Sequence, residues 1–171
     1  MMKYKLITFA VLIALFSSLV LPVAADIAQA QTSSLSSIPI TGTIANGGGT
    51  FTGTFDIDRF VLQNGRIFAR GTLTGDLLDS TGTLIGSVDR VVTLPVGISA
   101  TCDVLHLELG PLDLDLLGLQ VHLDQVVLDI TADPSGGLLG QLLCSLANAL
   151  NNGGALRGVV NLLNQILRVL G

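Results

Sequence analysis

From Ile38 to about Ile130, apolar side chains recur at nearly every second residue; from Leu138 onward they recur every third or fourth. The first rhythm belongs to strands with one buried face, the second to amphipathic helices. The change happens once, at Asp133-Pro134-Ser135-Gly136-Gly137, so strands and helices are segregated along the chain rather than alternating. That segregation defines an α+β architecture. The expected fold is a strongly bent antiparallel sheet or open β-barrel of about six to seven strands over residues 38–132. A C-terminal helical hairpin over residues 133–171 packs on the sheet as part of the same domain.

Phe51, Phe55, Ile57 and Val61 fall on one face of a strand, with Thr50, Thr52, Thr54, Asp56 and Asp58 on the other. Asn64-Gly65 follows, a pair suited to the two positive-φ positions of a tight hairpin turn. The next strand places Ile67, Ala69, Leu73 and Leu77 inward. Further strands are expected over about Thr83 to Leu94 and Ile98 to Leu109, on either side of Pro95 and Gly97. Thr-Gly-Thr recurs at residues 41–43, 52–54 and 81–83 at unequal steps, which fits a meander better than a solenoid. Glycines within strands predict bulges, sharp bends or close backbone packing. Leu119, Val121 and Leu123 alternate in one phase and Val126, Leu128 and Ile130 in the other, which predicts a bulge near Asp124 to Val126. In the tail, Gln141, Ser145, Asn148 and Asn152 form one polar stripe, and Arg157, Asn161, Asn164, Gln165 and Arg168 form a second.

Lys3 and Lys5 precede the apolar run Leu6–Leu21, and Pro22 ends it. This is the pattern of a secretory signal over residues 1–30, with small-residue cleavage sites after Ala25 and Ala30. Residues 31–37 then form a flexible leader. The expected location is secreted, extracellular or periplasmic, with no membrane span once the signal is removed. Beyond Ala30 six arginines face twelve carboxylates, a net charge of −6. The arginines are scattered, which excludes nucleic acid as a partner because phosphate binding needs a concentrated basic surface.

Cys102 and Cys144 are the only cysteines. In an exported chain two thiols most simply form one disulfide, which would staple the first helix to the sheet. The run Ala100-Thr101-Cys102-Asp103-Val104-Leu105-His106-Leu107-Glu108-Leu109-Gly110-Pro111-Leu112-Asp113-Leu114-Asp115-Leu116-Leu117-Gly118-Leu119, continued by Gln120-Val121-His122-Leu123-Asp124, resembles a signature of small exported bacterial proteins. That resemblance implies a bacterial source and export, and it brings no activity, cofactor or catalytic residue with it.

His106, Glu108, Asp113, Asp115, His122, Asp124 and Asp129 concentrate in one region, and several would share a face if the strands paired about Gly110-Pro111 and Gly118. His106, Glu108, His122 and Asp124 are the candidate metal ligands, since two imidazoles and a carboxylate suffice for zinc. The competing reading is a solvated acidic sheet face, and no EF-hand or H-E-x-x-H spacing occurs. No G-x-S-x-G element is present. Asp56/Asp58 and Asp113/Asp115 are paired carboxylates, but beyond the signal the aromatic residues are only Phe51, Phe55, Phe60 and Phe68, a poor platform for sugars. Gly47-Gly48-Gly49 lacks the lysine and helix start of a phosphate loop. No catalytic residue and no cofactor is expected. The leading expectation is a non-enzymatic structural or interaction module of the envelope or extracellular space, with an envelope component, a small apolar ligand or a second copy met through the C-terminal helices as its partner options. The alternative is a carrier of a small apolar ligand or lipid held between sheet and helices, and a secreted hydrolase ranks behind both.

Overall fold

The structure is a computed structural model and describes residues 35–45, 48–116 and 118–171; the proposed signal over residues 1–30 and leader residues 31–34 lie outside them. Among the described residues, eight strands are followed by two helices: β1 (Ile38–Ile44), β2 (Gly49–Gln63), β3 (Arg66–Leu78), β4 (Leu84–Ala100), β5 (Val104–Leu109), β6 (Leu112–Leu116), β7 (Leu119–Leu123), β8 (Val126–Thr131), α1 (Gly137–Asn151) and α2 (Leu156–Leu170). The architecture is α+β with one open antiparallel sheet in the order β6-β7-β1-β2-β3-β4-β5-β8. Eight strands replace the six or seven expected, because residues 104–131 break into four short strands.

That order forces the sheet to curl. β7 lies beside β1 while β8 lies beside β5, yet only Asp124 and Gln125 separate them in sequence. Two residues reach no more than about 10 Å between the strand ends, so the two edges of the sheet must approach one another. The Gly110-Pro111 link, a cis peptide, likewise carries the chain from β5 at one side to β6 at the other. On the curled edge, Arg90 of β4 donates from Nη1 to the Asp115 carbonyl of β6 at 3.0 Å.

The bulge expected near Asp124 to Val126 is therefore corrected to a strand change. The phase shifts there because one strand ends and another begins at the opposite edge. A second correction concerns Pro95, which lies within β4 rather than between two strands. Its partner in β3 is Phe68, the last pair of that ladder, and pairing with β5 begins at Val96↔Leu109. The proline falls where β4 exchanges one neighbour for another, so its missing N–H interrupts neither ladder.

Asn64 and Gly65 have φ of 50° and 74°, the two positive values the hairpin turn requires. The β2–β3 register then slips between Ile57 and Arg59, leaving Asp58 without a cross-strand partner. This bulge inverts the inward phase. Phe60 is buried and Val61 is only half-buried, in place of the inward Val61 that unbroken alternation predicts.

The inner face explains the glycines within β2 and β3, including that of the Thr-Gly-Thr run at 52–54. Gly53 and Gly75 face each other across β2 and β3, and a Cβ on Gly75 would sit 2.6 Å from the Phe51 ring. A Cβ on Gly71 would meet the Asp56 carbonyl oxygen at 2.0 Å and the Phe55 ring at 2.9 Å. The glycines thus give the two buried phenylalanine rings room to lie flat on a tightly bent sheet, while the flanking threonines take the outer face. Gly82 differs, with φ of 82° in the turn before β4.

The helices close the inner side. Leu142, Leu143, Leu146 and Ala147 of α1 and Val159, Leu163 and Ile166 of α2 are buried in one core with Leu73, Leu94, Leu105 and Ile130 of the sheet. The Sγ atoms of Cys102, in the turn before β5, and Cys144, in α1, are bonded at 2.05 Å. Among the described residues, no helix is long and apolar enough to cross a membrane.

Candidate functional site

Register, rather than sequence spacing, decides which polar groups meet. His106 on β5 stands opposite Asp129 on β8, and His122 on β7 stands opposite Asp113 on β6. His106 Nδ1 lies 2.6 Å from Asp129 Oδ1, and its Nε2 lies 3.4 Å from Glu108 Oε1. His122 Nδ1 lies 2.6 Å from Asp113 Oδ1. Asp124 accepts a hydrogen bond from the Thr41 hydroxyl at 2.8 Å. The four candidate metal ligands are thus divided among separate partners, because β5 pairs with β8 rather than with β6. His106 has a carboxylate at each ring nitrogen, so Asp129 and Glu108 approach opposite edges of the imidazole instead of converging on one ion. Among the described residues, no group of three or more His, Cys, Asp or Glu side chains is disposed to hold a metal.

The paired carboxylates are also engaged separately. Asp56 accepts from the Ser37 N–H at 2.5 Å. Asp115 accepts from the Gly118 N–H at 3.0 Å, and Asp113 binds His122. Two further carboxylates, Asp79 and Asp133, order turns. Asp79 is held below the ordinary carboxylate range chiefly by the Thr81 hydroxyl, helped by the N–H groups of Thr83 and Thr81. Asp133 is lowered chiefly by the Ser135 hydroxyl and N–H.

The hydrogen bond to Asp129, with a smaller contribution from Glu108, raises the His106 pKa above its ordinary value near 6.5. Protonation places an N–H at both ring nitrogens, and both face acceptors. The folded state therefore binds this proton more tightly than the unfolded chain does. The associated stabilisation is complete below the unfolded pKa and is lost as pH rises through the folded one. We expect the His106 ring signals in an NMR titration to move with a midpoint above 6.5, and Asp129→Asn to lower that midpoint. A midpoint at or below the unfolded value would remove the pairing.

A recess of about 670 Å³ opens where α2 crosses the bulge of β2. Its polar lining comes mainly from Asp58 and Arg59 of β2 and from Asn161, Gln165 and Arg168 of α2. The frame of the recess is an interaction that sequence reading missed. Asn164 falls on the polar stripe of its helix, yet its Oδ1 accepts from the Phe60 N–H at 2.8 Å and its Nδ2 donates to the Phe60 carbonyl at 3.0 Å. β1 begins opposite Phe55, and beyond the Ile57 N–H, which bonds the Leu35 carbonyl at 3.3 Å, the edge of β2 has no strand neighbour among the described residues, so that one amide side chain takes the place of a peptide. The only sequence signal was an asparagine at the inner border of the stripe. Each of the two bonds contributes roughly 1 kcal/mol, and the stranded backbone groups add a desolvation cost. We expect Asn164→Ala to destabilise the fold by about 2–3 kcal/mol in urea unfolding, and unchanged stability would show that water replaces the amide without loss.

A second, more apolar crease of about 380 Å³ runs between the sheet and the helix–helix connection, lined by Ile67, Pro95, Val96, Ile98, Leu150 and Leu156 among others.

Comparison of the chain with protein-family models, with curated proteins and with solved structures finds no match.

Proposed function

We propose that the chain is a non-enzymatic exported bacterial protein, a structural or interaction module of the envelope or extracellular space. The observation that carries this reading is how the side chains capable of acid–base chemistry are disposed. Each imidazole is held by carboxylates on the outer face of the sheet, while the inner face is filled by aliphatic and phenylalanine side chains. Those histidines order strand pairs, and among the described residues their partners are carboxylates. The Cys102–Cys144 bond suits an oxidising compartment, and the likeness of residues 100–124 to exported bacterial proteins points the same way. Fractionating producing cells and medium, with sizing of the native protein, tests the proposal. Retention in an envelope fraction or in an assembly larger than one chain supports it; a strict monomer found only free in the medium overturns it.

The apolar crease supports a second reading, a carrier of a small apolar molecule. Its walls combine sheet and helix residues, a common setting for such sites. Native mass spectrometry of the secreted protein separates the two readings. A stoichiometric apolar adduct lost on Leu156→Asp would favour the carrier, and repeated isolation at the bare polypeptide mass would exclude it.

A further inference from the structure

The recess at the β2 bulge gathers Arg59, Arg168 and Asp58 in its lining, and Arg59 carries a charge that the fold does not require. Arg59 stands directly opposite Arg70 across the β2–β3 ladder, both exposed on the outer face. Like charges so placed are destabilising, and they occur in a chain that is net acidic. Arg168 lines the same recess as Arg59. Among the described residues, the side chains of Arg59, Arg70, Arg168 and Asp58 take part in no hydrogen bond or ion pair. Arg168 lies in the last turn of α2, where a cation complements the helix dipole. That accounts for Arg168 alone and leaves unexplained Arg59, which lines the recess and also stands against Arg70 outside it.

We infer that this recess binds a small carboxylic acid bearing a hydroxyl group, with Arg59 and Arg168 holding its carboxylates and Asp58 accepting its hydroxyl. Guanidinium groups suit carboxylates because the planar fork matches two oxygens at once. Asp58 repels a bare anion and so selects for a ligand that also offers an O–H donor, and the bulge brings it to the recess by removing it from the ladder. The amides of Asn161 and Gln165 supply further donors and acceptors. The recess has no aromatic wall, so ring stacking is not the mode of recognition. Its volume lies within the range of roughly 300–1,000 Å³ usual for small-molecule sites. The Asn164 clamp fixes α2 against β2, so the two arginines are presented on a set frame. This inference goes beyond the envelope role and does not depend on it.

The test is calorimetric titration of the secreted protein with malate and citrate, using succinate and sulfate as probes lacking the hydroxyl or the carboxylates. Saturable binding of malate is expected, weakened about tenfold or more by Arg59→Ala and by Arg168→Ala, as loss of a charge-assisted hydrogen bond implies. Arg59→Lys keeps the charge but loses the fork, and it weakens binding as well. Arg157→Ala, on the same helix but outside the recess, leaves affinity unchanged, and Asp58→Asn abolishes the preference for malate over succinate. Unchanged melting temperatures of the arginine variants exclude misfolding as the cause. Absence of saturable binding up to about 10 mM overturns the inference. So does binding of sulfate or succinate as tight as that of malate, or a loss in Arg157→Ala equal to that in Arg59→Ala.

Discussion

Replacing both Cys102 and Cys144 with serine is expected to lower the melting temperature by roughly 10–20 °C. The bond closes a loop with a sequence separation of 42. In the chain-entropy account, a loop of this size restricts the unfolded ensemble by about 4 kcal/mol. For a domain of this length, each kcal/mol moves the transition by roughly 3–5 °C. The structure adds a spatial consequence. Cys102 lies in the turn between β4 and β5, and Cys144 lies on the helix that packs over β4, so the bond ties the helical hairpin to the sheet. Without it, among the described residues α1 and α2 are held to the sheet by apolar burial and the Asn164–Phe60 contact. Amide exchange in α1 should therefore accelerate more than exchange in β2 and β3. A double variant that melts within about 2 °C of the parent, with unchanged exchange in α1, would show that packing alone sets the position of the helices.

Much of this arrangement follows from local chemistry. The inward residues of β3, the Asn64-Gly65 turn and the exposed stripe of α1 all depend on neighbours within a few positions, and residue pattern reports such dependence directly. Strand order does not. Alternation states which face is buried but not which strand lies alongside, and a two-residue link such as Asp124-Gln125 reads the same whether it closes a hairpin or joins opposite edges of a curled sheet. The candidate site was illegible for the same reason. His106 meets Asp129 across 23 positions and Asn164 meets Phe60 across 104, separations that only the strand order brings together. Phe60 was missed because a single-residue bulge reverses every inward assignment beyond it.

The largest effect of a single substitution is expected on the inner face of β2 and β3, where Gly71→Ala should cost about 3 kcal/mol or more. The added methyl would lie 2.0 Å from the Asp56 carbonyl oxygen. That obstacle is backbone within the β2–β3 ladder, so it moves only if the strand moves, and the Phe55 ring at 2.9 Å closes the other way out. Phe55 is itself fully buried, so turning its ring aside would displace the core beneath it. Gly53→Ala meets the Thr74 carbonyl oxygen at 2.1 Å and should behave alike. The control is Gly158→Ala in α2, where an added Cβ meets nothing within 4 Å. There the gain in helix propensity should stabilise the protein by up to about 1 kcal/mol. Opposite signs for the same chemical change, read from urea unfolding midpoints, would establish that the inner-face glycines of β2 and β3 let the paired strands and the phenylalanine rings pack closely. A Gly71→Ala protein as stable as the parent would mean that the sheet is free to flatten, and the tight curl deduced from its strand order would fail with it.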